Sequence, residues 1–189
     1  MWLDRVRREY GDALQITWKS FSLEQVNSRE GPEWKVWEQD DVCAPRSLLS
    51  LVVGEAARAQ GGAAFERFHL ALLTARHGGN GRIALNELDP ILEVAREAGL
   101  DLDSLNRAIE DPATVAQVGR DHTEAVEQYG VFGTPTFVFE GGGAAYLKTF
   151  IPPEAESLAF FEHFAGMTAG RAYFGELKRP QPPWPKGAV

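Results

Sequence analysis

The chain has 189 residues, which suits one domain or one domain that carries a sizeable insertion. Apolar residues make up 44% and charged residues 24% of the sequence, a composition typical of a globular protein with a substantial core. The formal net charge of −8 argues against a nucleic-acid partner, because binding to phosphates needs clustered Lys and Arg.

The cysteine content and the first residues of the sequence exclude further classes of protein. Cys43 is the one cysteine of the sequence, so the chain has no internal disulfide, no Cys-x-x-Cys redox pair and no cysteine-based zinc cluster. Charged residues occur from Asp4 onward, and no apolar run approaches the ~18 residues that a membrane span requires. We therefore expect a soluble cytoplasmic protein with neither a signal peptide nor a membrane partner.

The first elements are a helix and a strand. Apolar residues at every third or fourth position predict a helix over residues 2–10. Strict alternation of apolar and polar residues predicts a strand over residues 14–18. Residues 22–44 are polar and irregular, and we expect Trp34 and Trp37 to hold this loop against the rest of the protein.

Residues 45–129 are predicted to be helical throughout, with glycines and capping residues marking the helix ends. The first predicted helix begins at Pro45 and ends at Gly61-Gly62, and the second ends at His77-Gly78-Gly79. The predicted starts of the three remaining helices are capped by Asn86, by Asp103 and by Asp111, which precedes Pro112.

The last third predicts two strands and a helix. Pro135 begins an apolar strand, and residues 140–143 connect it tightly to a second strand over residues 144–150, which together form a β-hairpin. A helix after Pro153 has a wide apolar face and is expected to pack against the sheet. The tail from Lys178 is rich in proline and is expected to be extended or disordered.

The segment from Gly130 to Phe139 is the most informative part of the sequence. A glycine ends a helix, and a Thr-Pro pair then opens an apolar strand. Proline lacks a backbone donor and is usually confined to the start or edge of a strand, and a cis X-Pro bond often marks a functional turn. The simpler interpretation is a proline that merely starts the strand. Phe132 could form an apolar wall here, although core packing is the interpretation we favour from sequence.

These elements together resemble the DsbA-like branch of the thioredoxin superfamily, particularly its cytoplasmic FrnE-like members and the related 2-hydroxychromene-2-carboxylate isomerases. The resemblance extends over roughly residues 2–165 and rests on residues 16–23, 47–61, 65–75, 92–101 and 130–139. It implies an α/β, thioredoxin-like fold with a helical insertion domain. The implied domains are a thioredoxin-like domain over residues 1–44 and 130–175, an inserted helical domain over residues 45–129, and a proline-rich tail over residues 176–189.

The sequence departs from this family at its beginning. In redox-active members a first strand leads into Cys-x-x-Cys, and both would lie before Met1. The first β-strand is therefore expected to be missing. The resemblance places that strand between the strands of Ile16 and Pro135, so its loss would leave a gap of ~10 Å, twice the spacing of neighbouring strands. A start codon assigned too late, or a fragment, is the explanation we favour over a protein that evolved in this short form.

The resemblance implies a substrate-binding site at Gly133, Thr134 and Pro135. The N–H and C=O groups of Thr134 would pair with an extended peptide or with the backbone of glutathione. No catalytic residue and no metal ligand is predicted in this chain. Cys43 is interpreted as incidental, because it has no partner and does not align with the motif of the family.

The four histidines and Trp184 are interpreted as structural. His69 and His77 are eight residues apart on one predicted helix, too far for a shared metal ion. His122 and His163 are interpreted as satisfied core residues. Trp184 is expected to serve packing.

Three functions remain open at this point. The first is a DsbA-family, thiol-disulfide oxidoreductase-like protein that is inactive in dithiol exchange because Cys-x-x-Cys is absent. The second is a glutathione-dependent isomerase or transferase of the 2-hydroxychromene-2-carboxylate isomerase type, and the third is a non-catalytic peptide-binding module. The expected partners are a protein or peptide with a thiol or disulfide, or glutathione. No cofactor is expected, except glutathione under the second of these functions. The sequence does not specify the substrate or the oligomeric state.

Overall fold

A computed structural model describes residues 1–78 and 82–178, which form two compact units. The first unit comprises the described part of Met1–Thr17 and Val126–Val189, and the second comprises Trp18–Ala125. Along the chain, the division between the units falls after Thr17 and after Ala125, whereas the domain boundaries expected from sequence fall after residues 44 and 129.

The described residues form eight α-helices and two strands. In chain order these are α1 (Trp2–Tyr10), α2 (Leu23–Asn27), α3 (Leu48–Arg58), α4 (Gly62–His77), α5 (Leu88–Glu97), α6 (Leu102–Glu110), α7 (Pro112–Tyr129), β1 (Thr136–Val138), β2 (Ala144–Tyr146) and α8 (Ser157–Thr168). Short 3₁₀ turns occupy Gly11–Ala13, Val36–Glu38 and Glu154–Glu156. The helix over residues 2–10, the hairpin and the last helix agree with the sequence-based predictions.

An aromatic core holds the first unit together. Trp2 and Val6 on α1 pack with Phe161 and Phe164 on α8. Phe137 on β1 adds edge-on contacts, with ring centroids 6.3 Å from Trp2 and 4.9 Å from Phe164. Edge-to-face pairs at these distances add to the gain from apolar burial. The prediction that the last helix packs against the strands is thus confirmed.

The two strands form an antiparallel hairpin in which Phe137 lies opposite Ala145. The turn is closed by a 3.0 Å hydrogen bond from the Gly142 N–H to the Phe139 C=O. Gly141 has φ +65° in this turn, a backbone conformation that glycine adopts without the steric penalty of a Cβ atom. One face of the hairpin covers the aromatic core, because side chains alternate between the two faces of a strand.

Two apolar clusters hold the second unit together. The larger one joins α3, α4, α5 and α6 through completely buried side chains such as Val53, Phe68, Ile91 and Leu105. The smaller one joins Val36 to α3 and to Val118 on α7, with Trp34 and Trp37 packed against it. The expectation that these two tryptophans hold the loop of residues 22–44 in place is therefore confirmed.

Side chains of α7 fix the chain that precedes this loop. Asp121 accepts the Ser20 N–H at 2.9 Å, and His122 Nδ1 accepts the Ser22 N–H at 3.2 Å. Both acceptors are buried, so each satisfies a backbone donor that water cannot reach. Residues 18–22 therefore belong to the helical unit rather than to the unit of the hairpin.

The predicted strand over residues 14–18 is wrong. These residues make no ladder, and β1 and β2 are the only strands within residues 1–78 and 82–178. Leu14, Ile16 and Trp18 are half-buried while the residues between them are exposed, so the alternation of burial is present without strand pairing. Alternation specifies which side chains face inward, but a strand also needs a neighbour with free backbone groups.

Three predicted helix starts are also wrong. The first helix of the block begins at Leu48 rather than Pro45, which lies in a turn. Glu87 and not Asn86 precedes α5, and it makes no side-chain cap. The carboxylate of Asp101, two residues before the predicted Asp103, caps α6 by accepting two backbone N–H groups. Each error is of one to three residues, and in α6 it arises because Asp101 and Asp103 are equally good caps by residue type.

Some predictions fall outside the described residues, namely the helix stop at Gly79 and the part of the proline-rich tail from Arg179, with Trp184. Among the helices formed by residues that the structure describes, none is both long enough and apolar enough to cross a membrane.

Candidate substrate-binding loop

The loop at Gly133, Thr134 and Pro135 lies between the end of α7 and the start of β1. Gly130, with φ +63°, ends the helix, and its N–H donates to the Val126 C=O at 3.0 Å. The Thr134–Pro135 peptide bond is cis. Thr134 and Pro135 are exposed, while Gly133 is buried. The three residues that the resemblance assigns to substrate binding thus form one surface loop, anchored at its first residue.

Gly133 lies close to an aromatic side chain of the hairpin, which would have to shift by a few tenths of an ångström to admit a Cβ atom. A Cβ atom at this position would lie 3.3 Å from the ring of Tyr146 on β2. The Gly133 C=O accepts a hydrogen bond of 2.7 Å from the Thr136 hydroxyl. The loop is therefore fixed by the ring of Tyr146 on β2 and by the hydroxyl of Thr136 on β1.

The main chain of Thr134 is available to a ligand. The Pro135 C=O accepts the Leu147 N–H at 3.1 Å and so belongs to the hairpin ladder. By contrast, the N–H and C=O of Thr134 have no hydrogen-bond partner within the described part of the chain. An exposed residue with a donor and an acceptor of this kind can pair with the backbone of an extended peptide.

An aromatic pair adjoins the loop. Phe132 is 65% exposed, so the expectation that it packs in the core is wrong. Its ring centroid lies 5.0 Å from that of Tyr146, which is itself 40% exposed. The two rings form an apolar surface next to Gly133. Sequence reasoning missed Tyr146, although the hairpin register, which places it opposite Thr136, would have indicated its position.

The opposite face of β1 connects the loop to the start of α1. Phe137 follows Pro135 by two residues and contacts Trp2, in the first turn of α1. Trp2 is 9% exposed, and its indole N–H donates to the Ser157 C=O at 2.9 Å. The beginning of α1 and the strand that carries the loop are therefore parts of one packed core.

Cys43 lies elsewhere, in the second unit. Its thiol is free and its side chain exposed, and its N–H donates to the Asp41 carboxylate at 2.8 Å. Because α3 begins only at Leu48, Cys43 does not occupy a helix N-terminus, where a helix dipole could favour the thiolate. One cysteine also has no resolving thiol, so the cysteine content of this sequence does not support exchange between a dithiol and a disulfide.

In the second unit, His122 is buried and His69 is half-buried. His122 lies between the rings of Phe21 and Trp37, at centroid distances of 4.6 and 5.1 Å, and accepts the Ser22 N–H. Burial lowers the pKa of His122, and the Lys35 ammonium lowers it further. His122 is thus a satisfied core residue as predicted, whereas His163 is exposed and the same prediction for it is wrong.

His69 differs because its Nε2 atom is shielded from water and finds no hydrogen-bond partner among the residues that the structure describes. Its ring lies 4.6 Å from the ring of Trp18 and 5.3 Å from that of Phe65. Burial lowers the pKa of His69 to about 4, with a further contribution from the Arg58 guanidinium. The imidazole is therefore neutral at physiological pH. Within the described ranges, no three His, Cys, Asp or Glu side chains come together as a metal site would require.

The hairpin, its cis Thr134–Pro135 bond and the helix packed on it are consistent with a thioredoxin-type protein, and comparison with known families identifies the class. The family model described as DSBA-like thioredoxin domain matches residues 1–164. The chain belongs to this family. Among curated proteins, the comparison finds no match.

Proposed function

We propose that the protein binds extended polypeptides that contain a thiol or disulfide through Gly133, Thr134 and Pro135, as a thiol-disulfide oxidoreductase-like protein of the FrnE-like, cytoplasmic branch. The 189-residue chain itself does not catalyse dithiol exchange, because its sequence has one cysteine and lacks Cys-x-x-Cys. The observation that carries the proposal is the exposed Thr134, whose N–H and C=O are unpaired among the described residues while its neighbours are fixed.

The contacts around the loop favour binding without rearrangement. Gly133 is buried against Tyr146, and the Thr136 hydroxyl holds its carbonyl at 2.7 Å. A peptide that pairs with Thr134 therefore meets a backbone that is already in place, so less conformational entropy is lost on binding. Phe132 and Tyr146 add apolar surface for a side chain of the peptide.

The experiment uses fluorescence anisotropy with fluorescein-labelled, reduced insulin B chain, an extended peptide whose thiols are kept free by an excess of reductant. The variant Thr134→Pro removes the backbone N–H, whereas Thr134→Val keeps it and changes only the side chain. We expect binding to weaken at least tenfold in Thr134→Pro and to be unchanged in Thr134→Val. Equal binding by both variants and the parent protein would contradict the proposal.

Two further measurements test the chemistry. The protein should give no acceleration of insulin reduction by dithiothreitol, and acceleration would overturn the assignment as inactive in dithiol exchange. Glutathione should not displace the labelled peptide at millimolar concentration. Displacement that also depends on the Thr134 N–H would favour the glutathione-dependent isomerase or transferase instead.

A further inference from the structure

The face of the hairpin that points away from the aromatic core carries an aromatic ring and an ammonium group next to the candidate loop. Ala145 and Leu147 pack in the aromatic core. Tyr146 and Lys148, which alternate with them, are exposed. Side chains two residues apart on a strand lie on one face, so Tyr146 and Lys148 are neighbours about 7 Å apart. Both lie on the β2 side of the hairpin, away from the β1 edge beside which the resemblance places the first strand of the family.

The register of the hairpin places Lys148 beside the free main chain of Thr134. The ladder continues to the Leu147 N–H, which donates to the Pro135 C=O at 3.1 Å. The next pair in the same antiparallel register is Thr134 with Lys148. A lysine side chain carries its charge on a flexible four-carbon stem. The ammonium of Lys148 can therefore approach a ligand whose main chain pairs with Thr134.

The charge of Lys148 is not neutralised by an acidic side chain. Among the residues that the structure describes, Lys148 takes part in no salt bridge. The chain as a whole carries a formal net charge of −8, so an unpaired cation at this position differs from the general charge of the protein. Electrostatic complementarity of this kind contributes to the selection of a partner. The group that complements an exposed ammonium is a carboxylate.

Phe132 and Tyr146 form the apolar part of the same surface. Their ring centroids lie 5.0 Å apart and the ring planes are inclined at 50°, so both rings leave part of their surface to a ligand. Aromatic pairs gain free energy beyond the burial of their area. An aromatic side chain is therefore the best match for this pair of rings.

We infer that the candidate loop selects extended segments in which an aromatic side chain and a carboxylate lie two residues apart. This selectivity deepens the proposed function and rests on it, since Thr134 holds the main chain of the segment. Side chains two residues apart in an extended segment are about 7 Å apart on one face, which is the spacing of Tyr146 and Lys148. The aromatic side chain packs on Phe132 and Tyr146, and the carboxylate pairs with the Lys148 ammonium.

Three synthetic peptides test the selectivity on the unmodified protein. The reference peptide is Gly-Gly-Phe-Cys-Glu-Gly-Gly, labelled with fluorescein at its N-terminus, amidated at its C-terminus and kept reduced. In the second peptide glutamine replaces the glutamate, and in the third alanine replaces the phenylalanine. By fluorescence anisotropy at low ionic strength, we expect the glutamine peptide to bind about threefold more weakly and the alanine peptide at least fivefold more weakly. Equal binding of the three peptides would overturn the inference.

Protein variants assign each preference to its side chain. Lys148→Gln should abolish the preference for the glutamate peptide over the glutamine peptide, and Lys148→Arg should keep it. Arg171→Gln removes the same charge at another exposed position of the first unit and is the matched control, which should also keep it. Phe132→Ala should reduce the preference for phenylalanine over alanine at least threefold. A preference for glutamate that survives in Lys148→Gln would overturn the inference.

The selectivity and the proposed function can fail separately. Equal binding of the three peptides, all of it lost in Thr134→Pro, would overturn the selectivity and leave the proposed function in place. A preference for the reference peptide that is undiminished in Thr134→Pro would contradict the function proposed for the loop and support the surface of Phe132, Tyr146 and Lys148 as a site of its own. Displacement of the reference peptide by glutathione that depends on Lys148 would overturn the choice of a peptide as the source of the carboxylate.

Discussion

The indole Nε1 of Trp2 donates a hydrogen bond of 2.9 Å to the backbone C=O of Ser157, which lies 155 residues further along the chain. The bond joins the first turn of α1 to the first turn of α8, and the two helices also pack through Val6 and Phe161. It shows that α1 and α8, which are far apart in the sequence, form one core with the strand that carries the candidate loop.

Substitution of Trp2 tests the importance of this core. Trp2→Phe keeps an aromatic ring but leaves the buried Ser157 C=O without its donor, so we expect a loss of about 1–2 kcal/mol in the free energy of unfolding. Trp2→Ala should cost about 3–5 kcal/mol, because it also leaves a cavity among the aromatic rings. Urea denaturation followed by circular dichroism measures both. Tyr173→Phe, at a residue 85% exposed, is the control and should change nothing.

Gly119 on α7 is a second position at which a substitution should change the stability of the fold. A Cβ atom there would lie 2.6 Å from the Trp37 Nε1 atom, closer than such contacts occur. Gly119→Ala should therefore destabilise the second unit by about 1–3 kcal/mol, although alanine is the better helix former. Gly54→Ala in α3 is the matched control, because nothing lies within 4 Å of its added Cβ.

The two glycine variants are best compared by thermal unfolding. Gly54→Ala should raise the melting temperature slightly, since alanine favours the helix by up to about 1 kcal/mol. Gly119→Ala should lower it. A rise in both variants would mean that Trp37 moves aside without cost, and would contradict the close packing of the loop on α7.

The sequence predicts the elements of this fold better than it predicts their pairing. The aromatic positions of α8 and the Gly-rich turn of the hairpin predict a helix packed on two strands, because these signals are local. The alternation over residues 14–18 predicts a strand, but none forms, since strand pairing depends on a neighbour that the alternation does not specify. The boundary between the two units is likewise set by contacts between residues that are distant in sequence. The acceptors that tie residues 20 and 22 to the helical unit lie on α7, about 100 residues away.

For the candidate loop too, the sequence predicts local features better than contacts between distant residues. Gly133, Thr134 and Pro135 are assigned to substrate binding through the resemblance to the DsbA-like branch, whereas the residues alone indicate only a strand that begins at a proline. The exposure of Phe132 is not predictable, since a phenylalanine in the short connection between α7 and β1 is more often buried. Tyr146 could be found only after the register of the hairpin was known.

The neutral imidazole of His69 predicts a loss of stability in acid. Its pKa is lowered to about 4 in the folded state, against an ordinary value of 6.5. The folded state therefore binds fewer protons than the unfolded state between these values, and its stabilising contribution is complete above pH 6.5 and declines as the pH falls toward 4. At pH 4.5 the loss amounts to about 2 kcal/mol.

The variant His69→Phe removes this titration and keeps an aromatic ring between Trp18 and Phe65. The difference in the free energy of unfolding between pH 7 and pH 4.5, measured in urea, should be smaller in His69→Phe by about 2 kcal/mol. His163→Gln, at an exposed histidine, should retain the difference of the parent protein. An unchanged pH dependence in His69→Phe would show that this imidazole does not titrate as described.

The hydrogen bond from Ser22 to His122 provides the last prediction. Because His122 Nδ1 accepts the Ser22 N–H, the proton of the neutral ring must be on Nε2, and protonation of Nδ1 would remove the acceptor. His122→Asn places an amide oxygen near the position of Nδ1, whereas the longer side chain of His122→Gln places it near Nε2. Both variants lose the contacts with Phe21 and Trp37. The asparagine variant should therefore be the more stable of the two by about 1 kcal/mol, the net value of one hydrogen bond, in urea denaturation at pH 7.

Because burial lowers the pKa of His122, the parent protein should lose stability as the pH falls below 6.5, and both variants should lose less. If the glutamine variant were as stable as the asparagine variant, the Ser22 N–H would not depend on Nδ1, and the attachment of residues 20–22 to α7 would rest on Asp121 alone.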